Sequence, residues 1–422
     1  MGWRFAARVQ VLAVVVAAAA QPVRAFDPAA GDWGKSDPTH VRIMTFNVQD
    51  GIGIGVSTTP ATPTSVGSQW AYIGLIAQAL EPDVICLQEI EPSSTVAGTQ
   101  TWVQNWADEY FGPGVMNVYV STAWDSFNRN VNLSRYPFAD LNGDDIANYH
   151  DIFVLPGPGG IPPGTPGGGH IRGWAQSEID LPDAIYRGDL FVGNSHLKAG
   201  GTSDDQTERL VAAQNIAYWI NNALNQHAAP FAPPLPLEPM TPVVLCGDMN
   251  QDSLSSGPIP WLRGYTSAAN DGTDRDLTEM LVAPAVEPFS GSDATHDSGN
   301  RYDYIIVQDS IATVADAFVF NSLAASQHGV LPPALAGVMS GNNASTFASD
   351  HRAVVVDLAL PLVLPGDFDA DGDVDAADHA VWRACLAGPV AGVPAGCSAT
   401  DLDDDGHVDL RDFAELVRFV QP

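Results

Sequence analysis

The most informative stretch of this 422-residue chain is Val243-Val244-Leu245-Cys246-Gly247-Asp248-Met249-Asn250. Its first four residues are apolar and predict a buried strand. A glycine, a carboxylate and, two residues on, a carboxamide follow, although polar groups without partners are costly next to a buried strand. This succession predicts that the end of the strand carries function.

Elsewhere in the chain, five more apolar runs predict strands and two segments predict helices. The predicted strands are Val41–Phe46, Val84–Leu87, Leu190–Val192, Val243–Cys246, Tyr304–Val307 and Ala353–Leu358. The predicted helices are Ala71–Leu80 and Glu208–Leu224. Strands and helices mixed along the chain in this way indicate an α/β body.

Polar side chains adjoin the other predicted strands as well. Asn47 follows the first strand, Gln88-Glu89 the second and Asn194-Ser195-His196 the third, while Asp303 and Asp350-His351 precede the last two. Taken singly, each of these residues has an ordinary explanation as a turn residue, a helix cap, a loop acid or a core histidine. Taken together, they predict one shared functional edge.

The charge balance limits the kind of partner. Asp and Glu number 50 against 18 Lys and Arg, and the lysines are Lys35 and Lys198 alone, so no basic stripe can hold a nucleic-acid backbone by charge. A phosphate ester would therefore need a metal ion. Carboxylate and carboxamide ligands favour a hard cation over zinc. Lys198, next to the His196 motif, is expected either at a phosphate entrance or in a solvated loop.

The two ends of the chain differ from the body. Residues 1–25 are predicted to be a signal peptide, because Arg4 and Arg8 precede an apolar run and small residues flank a cleavage position before Phe26. The run is about half as long as a membrane-spanning helix. We expect a secreted protein, extracellular, at the cell surface or periplasmic. Its expected parts are a catalytic domain at 26–360, a linker at 361–366 and a calcium-binding domain at 367–422.

The calcium-binding domain is predicted from a tandem repeat whose copies begin 34 residues apart. Oxygen ligands at loop positions 1, 3, 5, 9 and 12, with glycine at position 6, suit Ca²⁺. The predicted calcium residues are Asp367, Asp369, Asp371, Asp373, Asp375 and Asp378 in the first copy, and Asp401, Asp403, Asp405, His407, Asp409 and Asp412 in the second. Two structural Ca²⁺ ions are expected rather than a plain acidic tail.

Each copy consists of a loop and a following helix, and position 12 is Asp where an EF-hand has Glu. In both respects the segment from about Gly366 to Pro422 resembles a type I dockerin, a module that folds on two calcium ions and can dock to a cohesin. The repeats could also serve only as calcium-clamped caps. After export, Cys385 and Cys397 could form a disulfide, whereas Cys86 and Cys246 lie in apolar runs and are expected to be buried.

Seven segments of the body occur in the order typical of one enzyme family. They are Ile43–Val48, Pro82–Glu89, Leu133–Pro137, Ser195–Lys198, Gly247–Asn250, Arg301–Ile306 and Ser349–Arg352. In these segments the chain resembles the endonuclease/exonuclease/phosphatase family of metal-dependent phosphohydrolases, which includes DNase I-like nucleases, neutral sphingomyelinases and inositol-phosphate phosphatases. The resemblance implies a four-layer α/β sandwich, with two β-sheets packed face to face, helices outside and an active site at one end of the sheets.

The resemblance also implies a metal site and a set of catalytic residues. Mg²⁺ or Mn²⁺ would be held by Glu89, helped by Asn47 and Asp350. Asp248 and Asn250 would orient or activate water. The residues that contact phosphoryl oxygens or shuttle protons would be His196 and His351, the latter paired with Asp303. Whether Asp248 or His351 takes the proton from water stays open.

Other hydrolase families fit the sequence less well. It lacks the early Asp-x-His and the Gly-Asn-His-Asp/Glu segment of calcineurin-like phosphatases, the His-Glu-x-x-His of zinc hydrolases and the Gly-x-Ser-x-Gly of serine hydrolases. The first expectation is therefore a phosphodiesterase or nuclease. A phospholipid or an inositol phosphate is the alternative substrate, and a catalytically inactive binding or scaffold protein that keeps the fold is the alternative from another class.

Overall fold

A computed structural model of the chain describes most of the body and most of the C-terminal repeats. The described residues are 26–52, 69–91, 95–122, 128–139, 149–152, 174–220, 237–238, 240–264, 280–338, 340–369 and 372–420. The predicted signal peptide at 1–25 and the predicted calcium residue Asp371 lie outside these ranges.

Twelve strands and nine α-helices lie within the described ranges. The strands are β1 Val41–Asn47, β2 Val84–Ile90, β3 Asn117–Val120, β4 Arg129–Ser134, β5 Tyr149–Ile152, β6 Trp174–Ile179, β7 Leu190–His196, β8 Val243–Asp248, β9 Leu281–Val282, β10 Asp303–Val307, β11 Thr313–Val319 and β12 Val354–Ala359. The helices are α1 Gln69–Leu80, α2 Val96–Phe111, α3 Ser203–Trp219, α4 Ile259–Leu262, α5 Ser322–Gln327, α6 Pro333–Ala336, α7 Ala344–Ala348, α8 Ala376–Cys385 and α9 Leu410–Phe419.

The body is built on two mixed β-sheets, each with six strands in the described part of the chain. The strand order is β11-β12-β1-β2-β4-β3 in the first sheet and β5-β6-β7-β8-β10-β9 in the second. Strands β1 and β2 run parallel, and so do β7 and β8. Each sheet therefore has a parallel pair at its centre, whose carboxyl ends lie side by side.

Three apolar layers hold the sheets and helices together. Between the sheets, Ile43 and Cys86 of the first sheet pack in one cluster with Val192 and Cys246 of the second. Helices α1 and α2 cover the outer face of the first sheet, and α3 and α4 cover that of the second. Because both faces of its sheet are covered, β1 is buried along its whole length. The expected four-layer α/β sandwich is confirmed.

All six predicted strands and both predicted helices are present, with shifted ends. Five strands extend beyond the apolar runs and include Asn47, Glu89, His196, Asp248 and Asp303. These polar residues adjoin the apolar runs, as expected, and themselves form the last or first residues of the strands or lie next to them. They occupy strand ends, where a polar group is tolerated because it finds partners on neighbouring strands.

Helix α3 begins at Ser203, before its predicted start at Glu208, because a reciprocal cap forms there. The Thr202 hydroxyl accepts the N–H of Asp205 at 3.2 Å, and the Asp205 carboxylate accepts the N–H of Thr202 at 3.0 Å. Such a cap satisfies two backbone donors that the first turn leaves without partners. The end of the predicted helix, residues 221–224, lies outside the described residues.

A buried ion pair ties the first sheet together away from its polar end. Arg42 of β1 donates to both carboxylate oxygens of Asp357 of β12, at 2.6 and 2.7 Å, and both side chains are at most 1% exposed. The guanidinium also donates to the carbonyls of Trp33 and Leu80. Removing one partner of a buried ion pair leaves the other charge buried without compensation.

We expect Asp357→Ala to lower the free energy of unfolding by about 3–5 kcal/mol, because it leaves the Arg42 guanidinium buried and unpaired. Urea denaturation of the wild type and the variant measures the difference. The matched control is the double replacement Arg42→Met with Asp357→Leu, which removes both charges and should cost clearly less. A single variant as stable as the wild type would contradict this account.

The C-terminal repeats form a small module with its own apolar core, in which Val374, Trp382, Val408 and Leu416 are buried. The segment at 361–366, expected to be a linker, pairs with the body. Leu362 bridges to Tyr186, and the N–H of Val363 donates to the carbonyl of Ile185 at 2.9 Å. None of the helices in the described part of the chain is both long and apolar enough to span a membrane.

Candidate active site and calcium loops

Strand register brings the polar strand ends together. The parallel pairing of β7 with β8 sets His196 opposite Asp248, and the antiparallel pairing of β10 with β8 sets Asp303 opposite the same Asp248. In the first sheet, the pairing of β1 with β2 sets Asn47 opposite Gln88, beside Glu89. Because the two sheets lie face to face, the two sets of strand ends meet.

Glu89 owes its direction to an irregularity in β2. The pairing of β2 with β4 shifts register between Leu87 and Ile90, and Glu89 adopts a left-handed backbone with φ of 57°. A bulge of this kind redirects one side chain, and left-handed conformations of residues other than glycine are uncommon and collect at functional sites. The carboxylate of Glu89 consequently lies 3.1 Å from the Asn47 side-chain nitrogen.

Gly247 allows β7 and β8 to approach each other at the level of the site. Its φ is +132°, and a Cβ atom at this position would lie 1.8 Å from the carbonyl oxygen of Ser195. Only glycine fits such a close approach. The residue before Asp248 is therefore glycine for a geometric reason, and the pairing of Asp248 with His196 depends on it.

Two carboxylates and one imidazole form the centre of the site. His196 Nε2 lies 3.5 Å from Glu89 Oε1 and 3.5 Å from Asp248 Oδ2. The Asn47 side-chain nitrogen donates to Glu89 and, at 2.9 Å, to Asp248 Oδ2, while its oxygen accepts the N–H of Gln49. One donor atom from each of Glu89, His196 and Asp248 lies within 4.8 Å of the others. This donor set fits a hard divalent cation.

His351 lies on the other side of Asp248 and is held by Asp303. The distance from His351 Nδ1 to Asp303 Oδ2 is 2.7 Å, and Nε2 lies 3.7 Å from Asp248 Oδ2. Burial alone would lower the pKa of His351, but the charges of Asp303, Asp248 and Asp350 and the hydrogen bond to Asp303 outweigh it and raise the pKa to about 10. At neutral pH His351 is therefore an imidazolium and a hydrogen-bond donor.

Asp248 is an almost completely buried carboxylate, with 2% of its side chain exposed. Burial and the charge of Asp303 raise the pKa of Asp248 to about 7, although His351 and the hydrogen bonds from Asn250 and Asn47 oppose the rise. A divalent cation beside a carboxylate stabilises its charged form. A bound cation would therefore favour the ionised form of Asp248.

We expect His351 to stay protonated well above its ordinary pKa of 6.5 in the metal-free protein, and Asp303→Asn to lower its pKa by more than about one unit. Since the folded-state pKa is raised, the ion pair contributes its full stability below pH 6.5, and this contribution is lost as the pH rises through about 10. Titration of the imidazole C2–H by NMR measures both pKa values.

The matched control for this titration is Asp297→Asn, because Asp297 lies in a neighbouring loop and pairs with Arg352 rather than with His351. It should leave the His351 titration near that of the wild type. A His351 pKa that is equal in the wild type and in Asp303→Asn would show that Asp303 does not control its charge.

Two of the predicted site residues lie at the margin of this centre. The side-chain nitrogen of Asn250 donates to the carbonyl of Leu197 at 3.0 Å, and its backbone N–H donates to Asp248 Oδ1 at 2.8 Å. Asp350 lies beside His296, with 3.4 Å between Asp350 Oδ2 and His296 Nε2. Asn47, Glu89, His196, Asp248, Asp303 and His351 are joined by direct contacts.

The two predicted calcium loops repeat the same internal contacts. Asp378 Oδ1 accepts the N–H groups of Phe368 and Asp369, and Oδ2 accepts that of Asp375. In the second loop Asp412 accepts the N–H groups of the equivalent residues Leu402, Asp403 and Asp409. Each position-12 aspartate therefore ties the start of its loop to the start of the following helix.

In the first loop, two sets of the predicted calcium residues lie close together, and in the second loop predicted residues bind backbone groups. Oxygens of Asp367, Asp369 and Asp378 lie within 4.8 Å of one another, as do those of Asp373, Asp375 and Asp378. Asp401 Oδ2 accepts the N–H of Gly406, and Asp405 Oδ1 accepts that of His407. The His407 ring accepts the N–H of Gly392, which turns it towards the connection between the loops.

A disulfide joins Cys385, the last residue of α8, to Cys397, and the pairing considered from the sequence is present. It closes the connection between the two calcium loops and so limits how far they can separate. Cys86 and Cys246 are free and buried, as expected for residues in apolar strands.

The model of the Endonuclease/Exonuclease/phosphatase family matches residues 44–351, which is well over half of the chain. The chain belongs to this family. Members of the family are hydrolases that act on phosphoesters and typically depend on divalent metals. The model of the dockerin type I domain matches residues 365–421, and dockerins bind calcium.

Several solved structures of this family are similar to the chain. A family protein from Beutenbergia cavernae is 17% identical over 76% of this chain and 72% of its own, with a TM-score of 0.45. The human Nocturnin catalytic domain is 14% identical over 76% and 95%, with a TM-score of 0.42. Sphingomyelinase C from Streptomyces griseocarneus is 14% identical over 75% and 99%, with a TM-score of 0.40. No curated protein matches the chain significantly.

Two residues that support the family site were not singled out from the sequence. The Thr295 hydroxyl accepts the N–H groups of Tyr302 and Asp303, which fixes the start of β10. The Ser349 hydroxyl donates to the carbonyl of Asn47 at 2.7 Å and accepts the N–H of His351. The Ser349 hydroxyl reaches a carbonyl 302 residues away in sequence, and the Thr295 hydroxyl binds N–H groups at the far end of its own loop. Only their small polar type at a buried position could have pointed to them.

Lys198 does not stand free at an entrance of the site. Its ammonium group donates to the carbonyl of Ala199 at 3.0 Å and pairs with Asp205 at 3.2 Å. The side chain therefore stabilises the loop that leads into α3. Of the two expectations for Lys198, the loop position is the one observed.

Proposed function

We propose that the protein is a secreted, divalent-metal-dependent phosphohydrolase that cleaves phosphodiesters, with nucleic acid as the first substrate class. The observation that carries the proposal is the convergence of Asn47, Glu89, His196, Asp248, Asp303 and His351 at one end of both sheets. A binding protein without turnover would not need a protonated histidine and an enclosed carboxylate 3.7 Å apart.

In this proposal Glu89 holds Mg²⁺ or Mn²⁺, with help from Asn47 and Asp350. The cation supplies charge neutralisation for the phosphoryl oxygens, which gain negative charge during attack. Asn47 keeps Glu89 and Asp248 apart at a fixed distance by donating to both carboxylates. The preference for Mg²⁺ or Mn²⁺ follows from the oxygen-rich donor set.

The protonation states favour one assignment of the catalytic roles, which the sequence had left open. His351, with its pKa raised to about 10 by its aspartate partners against the effect of burial, has no free base function at neutral pH and serves as a donor to a phosphoryl oxygen. His196 is the second imidazole at the centre and contacts the phosphoryl group or shuttles a proton. Asp248, whose Oδ1 already accepts from the N–H of Asn250, takes the proton from the attacking water.

The C-terminal module is proposed to bind two Ca²⁺ ions and to attach the enzyme to a cohesin-type partner outside the cell. The dockerin match and the repeated loop contacts support this part of the proposal. Export through the N-terminal signal peptide is consistent with the disulfide between Cys385 and Cys397, since disulfides persist in oxidising compartments.

The test is a substrate panel with Mg²⁺, Mn²⁺ and EDTA. Plasmid DNA, RNA, sphingomyelin and inositol phosphates are compared under identical conditions, together with a generic phosphodiester. The proposal expects hydrolysis of nucleic acid that EDTA abolishes. Turnover of sphingomyelin or inositol phosphate alone would move the substrate to the alternative class, and no turnover of any member of the panel would favour the binding or scaffold protein.

A further inference from the structure

His296 lies against the active centre although no segment of the family pattern contains it. His296 forms an isolated antiparallel β-bridge with His351. Beside this bridge, the N–H of Arg352 donates to the carbonyl of Thr295 at 2.7 Å. The His296 ring meets the His351 ring edge to face, with 4.7 Å between centroids. The segment around Thr295 is therefore a wall of the site, and His296 is the side chain of this segment whose ring contacts His351.

The hydrogen bonds of His296 select one tautomer. Its Nδ1 accepts the backbone N–H of Ser298 at 3.0 Å and lies 2.8 Å from the Ser298 hydroxyl. A nitrogen that accepts from a backbone N–H carries no proton, so the proton of the neutral ring is on Nε2. Nε2 lies 3.4 Å from Asp350 Oδ2, and His296 is partly buried while Asp350 is 36% exposed at its side chain.

Among the residues that the structure describes, the Ser349 hydroxyl is the other side-chain donor near Asp350. That hydroxyl has a single hydrogen, and it lies 2.7 Å from the carbonyl of Asn47 but 3.4 Å from Asp350 Oδ1. The shorter bond takes the hydrogen. The Nε2–H group of His296 is then the side-chain donor that faces the Asp350 carboxylate.

We propose that His296 is a positioning residue of this enzyme, which fixes the Asp350 carboxylate towards the metal site by donating from Nε2. The inference rests on the proposed function, because it assigns Asp350 to the metal. Donors behind a ligating carboxylate typically change metal affinity or activity about 10- to 100-fold when they are removed. His296 acts through Asp350 and does not touch the reacting atoms.

The same tautomer argues against a metal ion bound directly by His296. One donor atom from each of His296, Asp350 and His351 lies within 4.8 Å of the others, which by distance alone would suit a cation. A cation on Nε2 would require the proton to move to Nδ1, where it would face the N–H of Ser298. The backbone therefore opposes ligation and favours donation.

Three replacements at this position separate donation from packing. His296→Gln keeps an N–H donor at about the reach of Nε2, His296→Asn keeps only a group near Nδ1, and His296→Phe keeps the ring without either nitrogen. We expect His296→Asn and His296→Phe to raise the Mn²⁺ concentration for half-maximal activity by about 10-fold or more, and His296→Gln to stay within about threefold of the wild type.

The double replacement with Asp350→Asn tests whether His296 acts through Asp350. If it does, His296→Phe added to Asp350→Asn should cause little further change in the Mn²⁺ requirement. His40→Gln is the matched control, since His40 precedes β1 at the end opposite Asn47. Equal effects of the Gln and Asn replacements, or fully additive effects of His296→Phe and Asp350→Asn, would overturn the proposal.

A measurement without substrate keeps this inference separate from the proposed function. The ¹⁵N chemical shifts of the His296 ring in the metal-free full chain report the tautomer, and they should show a protonated Nε2 and an unprotonated Nδ1. If no substrate is turned over but this tautomer is found, the proposed function fails while the donor assignment stands. A protonated Nδ1 would overturn the assignment whatever the activity.

Discussion

Replacing Glu89 or His351 with alanine is expected to lower kcat/KM for the phosphodiester substrate by more than about 10³-fold. The two replacements remove different parts of the same centre. Steady-state hydrolysis with saturating Mg²⁺ or Mn²⁺ measures the loss, and circular dichroism verifies that each variant is folded.

The effect of Glu89→Ala follows from its backbone. Glu89 is held in a left-handed conformation with φ of 57°, which costs stability and persists only where the surroundings determine it. Its carboxylate lies within the donor cluster that includes Asp248 and His196. Without it, the cluster loses one of its two carboxylates, and we expect the variant to need far more metal for any residual activity.

The effect of His351→Ala follows from its charge. The imidazolium is stabilised by Asp303 at 2.7 Å and lies 3.7 Å from Asp248. Alanine removes a charged donor from a site where negative charge develops, and such donors are worth roughly 10²–10³-fold individually. It also leaves Asp303 buried without its partner, so the loss exceeds that of the donor alone.

Two replacements outside the centre serve as matched controls. Glu208→Ala removes a carboxylate from α3, and His40→Ala removes an imidazole from the far end of β1. Both should keep activity near that of the wild type. If the wild type, Glu89→Ala, His351→Ala and an EDTA-treated sample hydrolysed the substrate equally, the measured activity would not belong to this centre.

Calcium is expected to order the C-terminal module. Residues 366–422 contain 13 acidic and 3 basic residues, so the carboxylates of the loops repel one another until cations neutralise them. Without Ca²⁺ we expect this segment to be disordered and readily cleaved by protease. On titration, α8 and α9 should form, with a gain in the helical circular dichroism signal of the full chain.

The size of the effect depends on the Ca²⁺ concentration. A site that binds only the folded state adds about 2.7 kcal/mol of stability at 100 times its dissociation constant, and two sites act on the same small core. The disulfide between Cys385 and Cys397 lies outside both loops and should not replace the cations. Protease protection of the module should therefore rise steeply with Ca²⁺.

Isosteric replacements test the loop assignment. Asp378→Asn and Asp412→Asn alter the position-12 carboxylates that accept backbone N–H groups from both ends of their loops, and they should weaken the calcium response. Asp404→Asn is the control, because Asp404 occupies position 4 and asparagine tolerates its left-handed φ of 57°. A circular dichroism signal that Ca²⁺ leaves unchanged would contradict the assignment.

Much of the candidate site was predictable because the chemistry is local to strand ends. Asn47, Glu89 and His196 each stand next to an apolar run, and carboxyl ends of parallel strands share an edge. Asp303 is instead the first residue of β10 and His351 precedes β12, and the antiparallel direction of these two strands returns both residues to the same end. A pattern of polar residues beside apolar runs was sufficient to predict that they meet.

Other features could not be read from the pattern. The bulge at Glu89 depends on a register shift against β4, a strand that had not been predicted. The support from Ser349 runs through the carbonyl of Asn47, which is distant in sequence, and that from Thr295 depends on how the loop before β10 folds back. The loop role of Lys198 depends on where Asp205 lies after α3 is capped.

The amino-acid pattern alone predicted the α/β body, the polar edge, the need for a cation and the paired calcium loops. These predictions follow from hydrophobic periodicity, the spacing of residues and side-chain chemistry, which are properties of short segments. The tertiary structure decided the protonation of His351, the enclosure of Asp248 and the tautomer of His296. Each of these depends on electrostatic fields and hydrogen bonds between groups brought together by two sheets, and no single segment contains them.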